Sequence, residues 1–347
     1  MFSTYKEDDV TILLKDITGL VTPLATKERE AKIQSGVHYS EMLPLEYKPT
    51  ESYMATFKRA VEMYSQITAD SVAQLADSII NGKKSPVLVS LARAGTSIGV
   101  LLKRYIRFKY KREIPHYTIS IIRGRGIDKN AMKYILDRHA PEDIQFVDGW
   151  TGKGAIQRTL NKAMEDFQGV SSGLAVLSDP AYIAEKCGTH DDFLIASSCL
   201  NSTVSGLLSR TFLRSDIIGE NDFHGAHFYS DLMDEDLTYY FIDSVVSCFE
   251  TVKPMKDDHC GTDGMAEARA ICKKYGISDI NLVKPSIGEA TRVLLRRVPW
   301  KVLVHSLDDN EHLGHLYQLA AEKNVELEVY PLKNYRACGL IKNLADN

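Results

Sequence analysis

Apolar positions along the chain fall into short continuous runs and amphipathic stretches that alternate. Over residues 53–81, Met54, Phe57, Val61 and Tyr64 recur at three- and four-residue steps and Asn81-Gly82 supplies a stop, which predicts a helix interrupted near Thr68. PVLVSLA is short, valine-rich and introduced by proline, as a buried strand should be. Residues 98–110 place Leu101, Leu102, Tyr105 and Ile106 on one side and Lys103, Arg104, Arg107 and Lys109 on the other, an amphipathic helix. A strand at HYTISII, a helix over 130–139, a strand over 144–148, a helix over 154–167 and strands at LAVLSD and FLIASS continue the pattern. Repeated strand and helix units imply an α/β fold with a doubly wound parallel sheet covered on both faces.

The run TVKPMKDDHCGTDG, residues 251–264, is polar and without period, and reads as a linker. It sets a boundary between a first domain, 1–255, whose residues 1–50 form an N-terminal extension, and a second, 256–347. Beyond it NLVKP, the helix GEATRVLLRR, the strand KVLVHSL, a helix over 312–323 and the strand VELEVYPL make a smaller α/β unit. Two cores suit a chain of 347 residues.

The start is charged and carries no leader-like apolar stretch, and no run is long enough to span a bilayer, so a cytoplasmic protein with no membrane partner is expected. Six scattered cysteines, Cys187, Cys199, Cys248, Cys260, Cys272 and Cys338, show neither a CxxC pair nor zinc-ligand spacing, and reduced thiols are expected. With a net charge of −4, nucleic-acid binding would need a local basic face.

The densest chemical signal is IQFVDGWTGKGAI, where a strand ends in an acid, passes three glycines and opens a helix. Backbone amides and a helix N-terminus there could cradle a phosphate at Thr151, Gly152, Lys153 and Gly154, with Asp148 at the strand end. Two further loops, LARAGT with Arg93, Ala94 and Gly95, and RGRGID with Arg123 and Arg125, also follow strands and should share that sheet edge.

SLARAGTSIGVLLKRY, SIIRGRGID, FVDGWTGKGAI and LNSTVSGLLSRT resemble a phosphoribosyltransferase-like family of tellurite-resistance stress operons, also labelled StiP-type. The resemblance implies a type I phosphoribosyltransferase-like sheet binding phosphoribosyl pyrophosphate or a related ribosyl phosphate. Asp148 would hold the ribose hydroxyls, Thr151 to Gly154 the 5-phosphate, and Arg93, Ala94 and Gly95 the pyrophosphate. Arg123 and Arg125 would lie on the catalytic loop, and Mg2+ would bridge pyrophosphate and ribose oxygens. The implied reaction makes a nucleoside or nucleotide in a stress response. Val147 stands where the family pattern has a first acid, and Gly154 replaces a hydroxyl residue.

Two other readings stand beside this one. Cys199, at a strand-to-helix turn, with His224 as base, would make a cysteine hydrolase, and the StiP-type label has carried a cysteine protease name. A non-catalytic nucleotide sensor with an RNA-binding output is the third.

The segment SIGEATRVLLRRVPWKVLVHSLDD with NVELEVYPL resembles the pelota-like RNA-binding fold. Its family presents the start of a helix to RNA, which carries over to Gly288, Glu289 and Arg292, with structured RNA as partner. Arg292, Arg296, Arg297 and Lys301 form a local basic face. His312 and His315, near Asp308 and Asp309, read as surface residues and not as a metal site.

Overall fold

A computed structural model describes residues 2–255 and 261–342. In chain order, β1 (Thr11–Ile12), β2 (Lys15–Asp16) and α1 (Thr26–Gln34) precede the long α2 (Glu51–Gly82). Then come β3 (Val87–Ala92), α3 (Ala94–Tyr110), β4 (His116–Ile122), β5 (Gly126–Ile127), α4 (Lys129–Leu136), β6 (Ile144–Trp150) and α5 (Ala155–Met164). The first unit closes with β7 (Leu174–Ser178), β8 (Lys186–Thr189), β9 (Gly225–Ala226) and α6 (Thr238–Val246). The second holds α7 (Gly264–Tyr275), β10 (Val283–Pro285), α8 (Ile287–Arg296), β11 (Pro299–Val304), α9 (Asn310–Glu322), β12 (Glu326–Val329) and β13 (Ala337–Ile341).

The main sheet has the order β1-β4-β3-β6-β7-β8, with every pair along it parallel, and the short β5 runs antiparallel to β4. Alternation along each strand serves two cores. Leu88 and Val147 face α2, α3 and α6 with Phe57, Val72, Leu101 and Phe241. Val89, Leu91 and Phe146 face α4 and α5 with Met132, Ile135 and Leu160. The second unit is a four-stranded sheet of order β10-β13-β11-β12, mixed in direction, with α7 on one face. On its other face, Ile287, Leu294, Val302 and Leu316 run into the same apolar core as α2, so the two units are packed together.

The expected break in α2 does not occur. Thr68 returns its hydroxyl to the carbonyl of Tyr64 at 2.6 Å, which satisfies it inside a continuous helix. At 32 residues, about 48 Å long, α2 spans both units: Tyr64 donates its hydroxyl to the carbonyl of Glu311, and Tyr53 to that of Leu295.

FLIASS is not a strand. Residues 193–195 are irregular and Ala196–Cys199 is a 3-10 turn; the last sheet strand is instead Lys186–Thr189. The helix expected just after Cys199 shrinks to the 3-10 turn Ser202–Val204, because Ser205 bonds the carbonyl of Asn201 and the chain turns through left-handed Gly206 and Leu207. The sequence reading left α6, α7 and β13 unassigned. Of the linker expected over 251–264, residues 256–260, Cys260 among them, lie outside the described residues. Among the described residues no helix is long and apolar enough to cross a membrane.

Candidate active site

The carboxyl ends of β6, β7 and β8 bring together groups the sequence separates. Register sets Trp150 beside Ser178 and Ser178 beside Thr189, so the residues just past each strand end converge. Gly188 faces α2 so closely that a Cβ there would lie 2.4 Å from the Ser71 carbonyl oxygen. By alternation Cys187 turns to the other side of β8, where it packs beside the α4 and α5 core while staying partly exposed.

There Cys187 meets His190. Sγ lies 3.6 Å from Nε2, and Nδ1 sits 2.7 Å from the backbone oxygen of Asp179. A carbonyl can only accept, so Nδ1 carries the proton and Nε2 keeps its lone pair, with Sγ lying across the ring at 3.6 Å from Nε2 and 3.9 Å from Nδ1. The Asp179 carboxylate lies 4.0 Å from Nδ1. This acid is fully buried, and burial pushes its pKa up. The Thr151 hydroxyl and the amides of Ala184 and Ile183, both at 2.8 Å, oppose that shift by donating to the charged form. Tyr182 stacks flat on the imidazole, with centroids 3.9 Å apart. A thiol, an imidazole of assigned tautomer and a buried acid behind it are the parts of a nucleophilic dyad with an orienting group.

None of these three was picked out in the sequence. The available signal was Cys187 and His190 three residues apart just after Ser-Asp-Pro at a strand end, but glycine and polar neighbours hid β8. The cysteine hydrolase pair chosen instead does not form a dyad of this kind. Cys199 is 0 % exposed inside the apolar core, out of reach of a macromolecular substrate. His224 is held on the β4 side: Nδ1 bonds the Ser120 hydroxyl at 2.8 Å, the backbone N–H donates to Asp128, and burial lowers its pKa.

The three glycine or arginine loops do share one sheet edge, and a Cβ on Gly95, next to Ala94, would lie 2.5 Å from the Val147 oxygen. The arginines are engaged by protein. Arg93 donates to Leu208 and Asn201, both at 2.9 Å, and pairs with Glu46. Arg125 pairs with Glu41, and the Arg123 guanidinium lies 5.6 Å from the Tyr39 ring centroid.

The glycine loop is covered by the second unit. Thr151 donates its amide to Ser178, the Gly152 carbonyl accepts from the Tyr335 hydroxyl at 2.7 Å, and Lys153 donates to the carbonyls of Val283 (2.7 Å) and Ile280. Burial brings Lys153 down to about 8. Gly154 caps α5 with φ +68°, where a Cβ would strike Ile183. Asp148 takes the Gly149 amide at 2.8 Å, and burial lifts it to about 6. Above it sit the residues carried over as RNA contacts: Gly288 against Ser198 and Trp150, Glu289 paired with Arg292, and Arg292 5.5 Å from the Trp150 ring centroid. His312 bonds Asp309 and His315 bonds Thr291.

A family model described as "Tellurite-like stress resistance cysteine protease StiP" matches residues 3–246. The chain belongs to the StiP family. The PELOTA RNA binding domain model matches residues 262–343 of this StiP-family chain. It is 38 % identical over 364 residues to the Cysteine protease StiP of Acinetobacter baylyi, covering 98 % of this chain and 94 % of that protein. Among solved structures it resembles a hypoxanthine-guanine phosphoribosyltransferase of Bacillus anthracis at 16 % identity over 36 % of this chain and 76 % of that one, with a TM-score of 0.27. The hypoxanthine phosphoribosyltransferase of Trypanosoma cruzi gives 14 %, 37 %, 77 % and 0.28 in the same order. Likeness at that level carries no functional argument.

These names correct the leading expectation. The family and the full-length relative are cysteine proteases by name, and phosphoribosyl transfer is withdrawn. The structure supplies a physical reason, since the side chains of Lys153 and Tyr335 tie the phosphate loop to the second unit.

Proposed function

We propose that this StiP-family chain is a cysteine peptidase whose nucleophile is Cys187, with His190 as base and Asp179 as the orienting acid. The observation that carries the reading is the hydrogen bond from His190 Nδ1 to the Asp179 carbonyl, which leaves Nε2 as the unprotonated nitrogen, 3.6 Å from Sγ. In the reaction the thiol proton passes to Nε2 and the thiolate attacks a peptide carbonyl. The C–N bond then breaks, and the leaving amine takes the proton back from His190. Water, deprotonated by Nε2, cleaves the thioester and restores the thiol. The Asp179 carboxylate stabilises the imidazolium formed on the way. Magnesium, expected only as the companion of a pyrophosphate substrate, has no part in this chemistry.

Alkylation separates the two cysteine assignments. Iodoacetamide at neutral pH should modify Cys187 and abolish peptide hydrolysis, with Cys199 unmodified in the folded protein by mass spectrometry. Full activity in Cys187→Ala would overturn the assignment. The match to the PELOTA RNA binding domain supports a second property, contact with structured RNA through the C-terminal unit.

A further inference from the structure

The loop that carries His190 is held by the second unit. β8 ends at Thr189, and residues 191–195 run on without regular structure, so no strand ladder of their own fixes where His190 stands. Within the first unit Asp191 is tied by its backbone: its amide donates to the Thr189 hydroxyl at 3.0 Å, and its carbonyl accepts from the Ser178 hydroxyl at 2.7 Å. The carboxylates of Asp191 and Asp192 reach across the interface instead. Asp192 accepts the backbone amides of Ile287 and Arg336, and Asp191 accepts from Nη2 of Arg336 at 2.9 Å.

Arg336 is itself fixed from behind. Its carbonyl accepts the amide of His305 at 3.0 Å, just past the end of β11, and its Nη1 lies 3.6 Å from the carboxylate of Asp309. Asp309 caps α9 by accepting the His312 amide, and its two oxygens bond the rings of His305 at 2.7 Å and His312 at 2.8 Å. One guanidinium thus spans two acids from different units with two of its nitrogens, a geometry suited to the planar fork of arginine and not to the single ammonium of lysine. The Arg336 and Asp191 side chains are each 25 % exposed, so solvent screens this ion pair less than a pair on an open surface. Nε of Arg336 is sealed from solvent and makes no hydrogen bond, which is a cost to stability. An arginine packed with an unmet donor suits a role in placing the loop better than a role in holding the fold.

We infer that Arg336 is a positioning residue of the peptidase site: from the second unit, through Asp191, it holds His190 beside Cys187, so the C-terminal unit supplies part of the peptidase. The inference rests on the Cys187 and His190 reading and adds what sets the imidazole in place. Steady-state kinetics and the rate of Cys187 alkylation by iodoacetamide, both on the full chain, test it. Arg336→Met removes the side chain but keeps the backbone amide that Asp192 accepts, so the units should stay docked. It should lower kcat for peptide hydrolysis about tenfold with KM little changed. At about pH 6, where a free thiol is almost wholly protonated, it should slow alkylation of Cys187 by a similar factor, because a displaced imidazole no longer takes the thiol proton. A contact that served stability alone would move the melting temperature and neither rate. In an Asp191→Ala background the same substitution should cost little further, since the path through Asp191 is already cut. Wild-type rates in Arg336→Met, or a loss of about tenfold that persists undiminished in the Asp191→Ala background, overturn this inference alone. If Arg336→Met does not fold, Asp191→Ala is read by itself, and a wild-type alkylation rate in it overturns the inference in the same way. Alkylation of Cys187 in the wild type no faster than that of a free thiol overturns it together with the peptidase reading.

Discussion

Tyr182 lies on the face of His190 with ring planes 6° apart, and it holds that place from a left-handed backbone conformation at φ +54°. The stack holds the imidazole beside Cys187, with Nε2 3.6 Å from Sγ. Phenylalanine can keep it, and alanine cannot. Tyr182→Phe should therefore retain most peptidase activity while Tyr182→Ala loses about tenfold in kcat with little change in KM. Equal loss in both variants would assign the role to the hydroxyl.

Asp179 acts on His190 from behind and is itself buried, so its replacement has two separable effects. Asp179→Asn should lower kcat by about 100-fold or more, because the imidazolium loses its compensating charge. It should also cost about 1–3 kcal/mol of stability, since one carboxylate oxygen that accepts the amides of Ile183 and Ala184 can become a donor. Rate measurements below the variant's melting transition separate the two, and Thr151→Val should reproduce only a mild form of each.

Gly188 sits where α2 presses on β8. Gly188→Ala puts a methyl group 2.4 Å from a backbone oxygen of Ser71, which must move. The expected cost is about 1–3 kcal/mol by denaturant unfolding, with reduced alkylation of Cys187 as β8 shifts. A wild-type midpoint would show that the helix can retreat freely.

Asp192 straps the second unit to the first, accepting the backbone amides of Ile287 at 3.0 Å and Arg336 at 2.9 Å. Burial lifts its carboxyl to about 7, against the pull of those amides and the Arg336 charge. Unfolded, it would titrate near ~4. Between those values the folded chain holds a proton that the unfolded chain has released, so this group's contribution to stability falls as pH rises from about 4 to about 7, with a slope near one proton. Asp192→Asn should flatten that dependence when melting temperatures are compared across the window. Asp148, raised to about 6 in the same sense, remains in both proteins and cancels in the comparison.

Most of the parallel sheet and its covering helices was legible in the chain, because the periods that encode them are local. The runs around Leu88, Ile119 and Phe146 are apolar enough to be strands wherever they are placed, and α3 shows its two faces within one stretch. The failures came where local pattern and tertiary role part. FLIASS is as apolar as a strand but is buried as an irregular segment and a turn, while KCGT, with glycine and lysine, pairs with β7 because α2 needs a residue without a side chain at Gly188. The sequence by itself determined the α/β alternation, the second C-terminal unit and the glycine loop. Only the tertiary structure decided what these do. Asp179, Cys187 and His190 become neighbours through the β7 to β8 register, and the Gly152 carbonyl and the Lys153 side chain are taken up by Tyr335 and by the carbonyls of Ile280 and Val283 across an interface between distant segments. Pairings of that kind depend on where the chain returns, which no local period records.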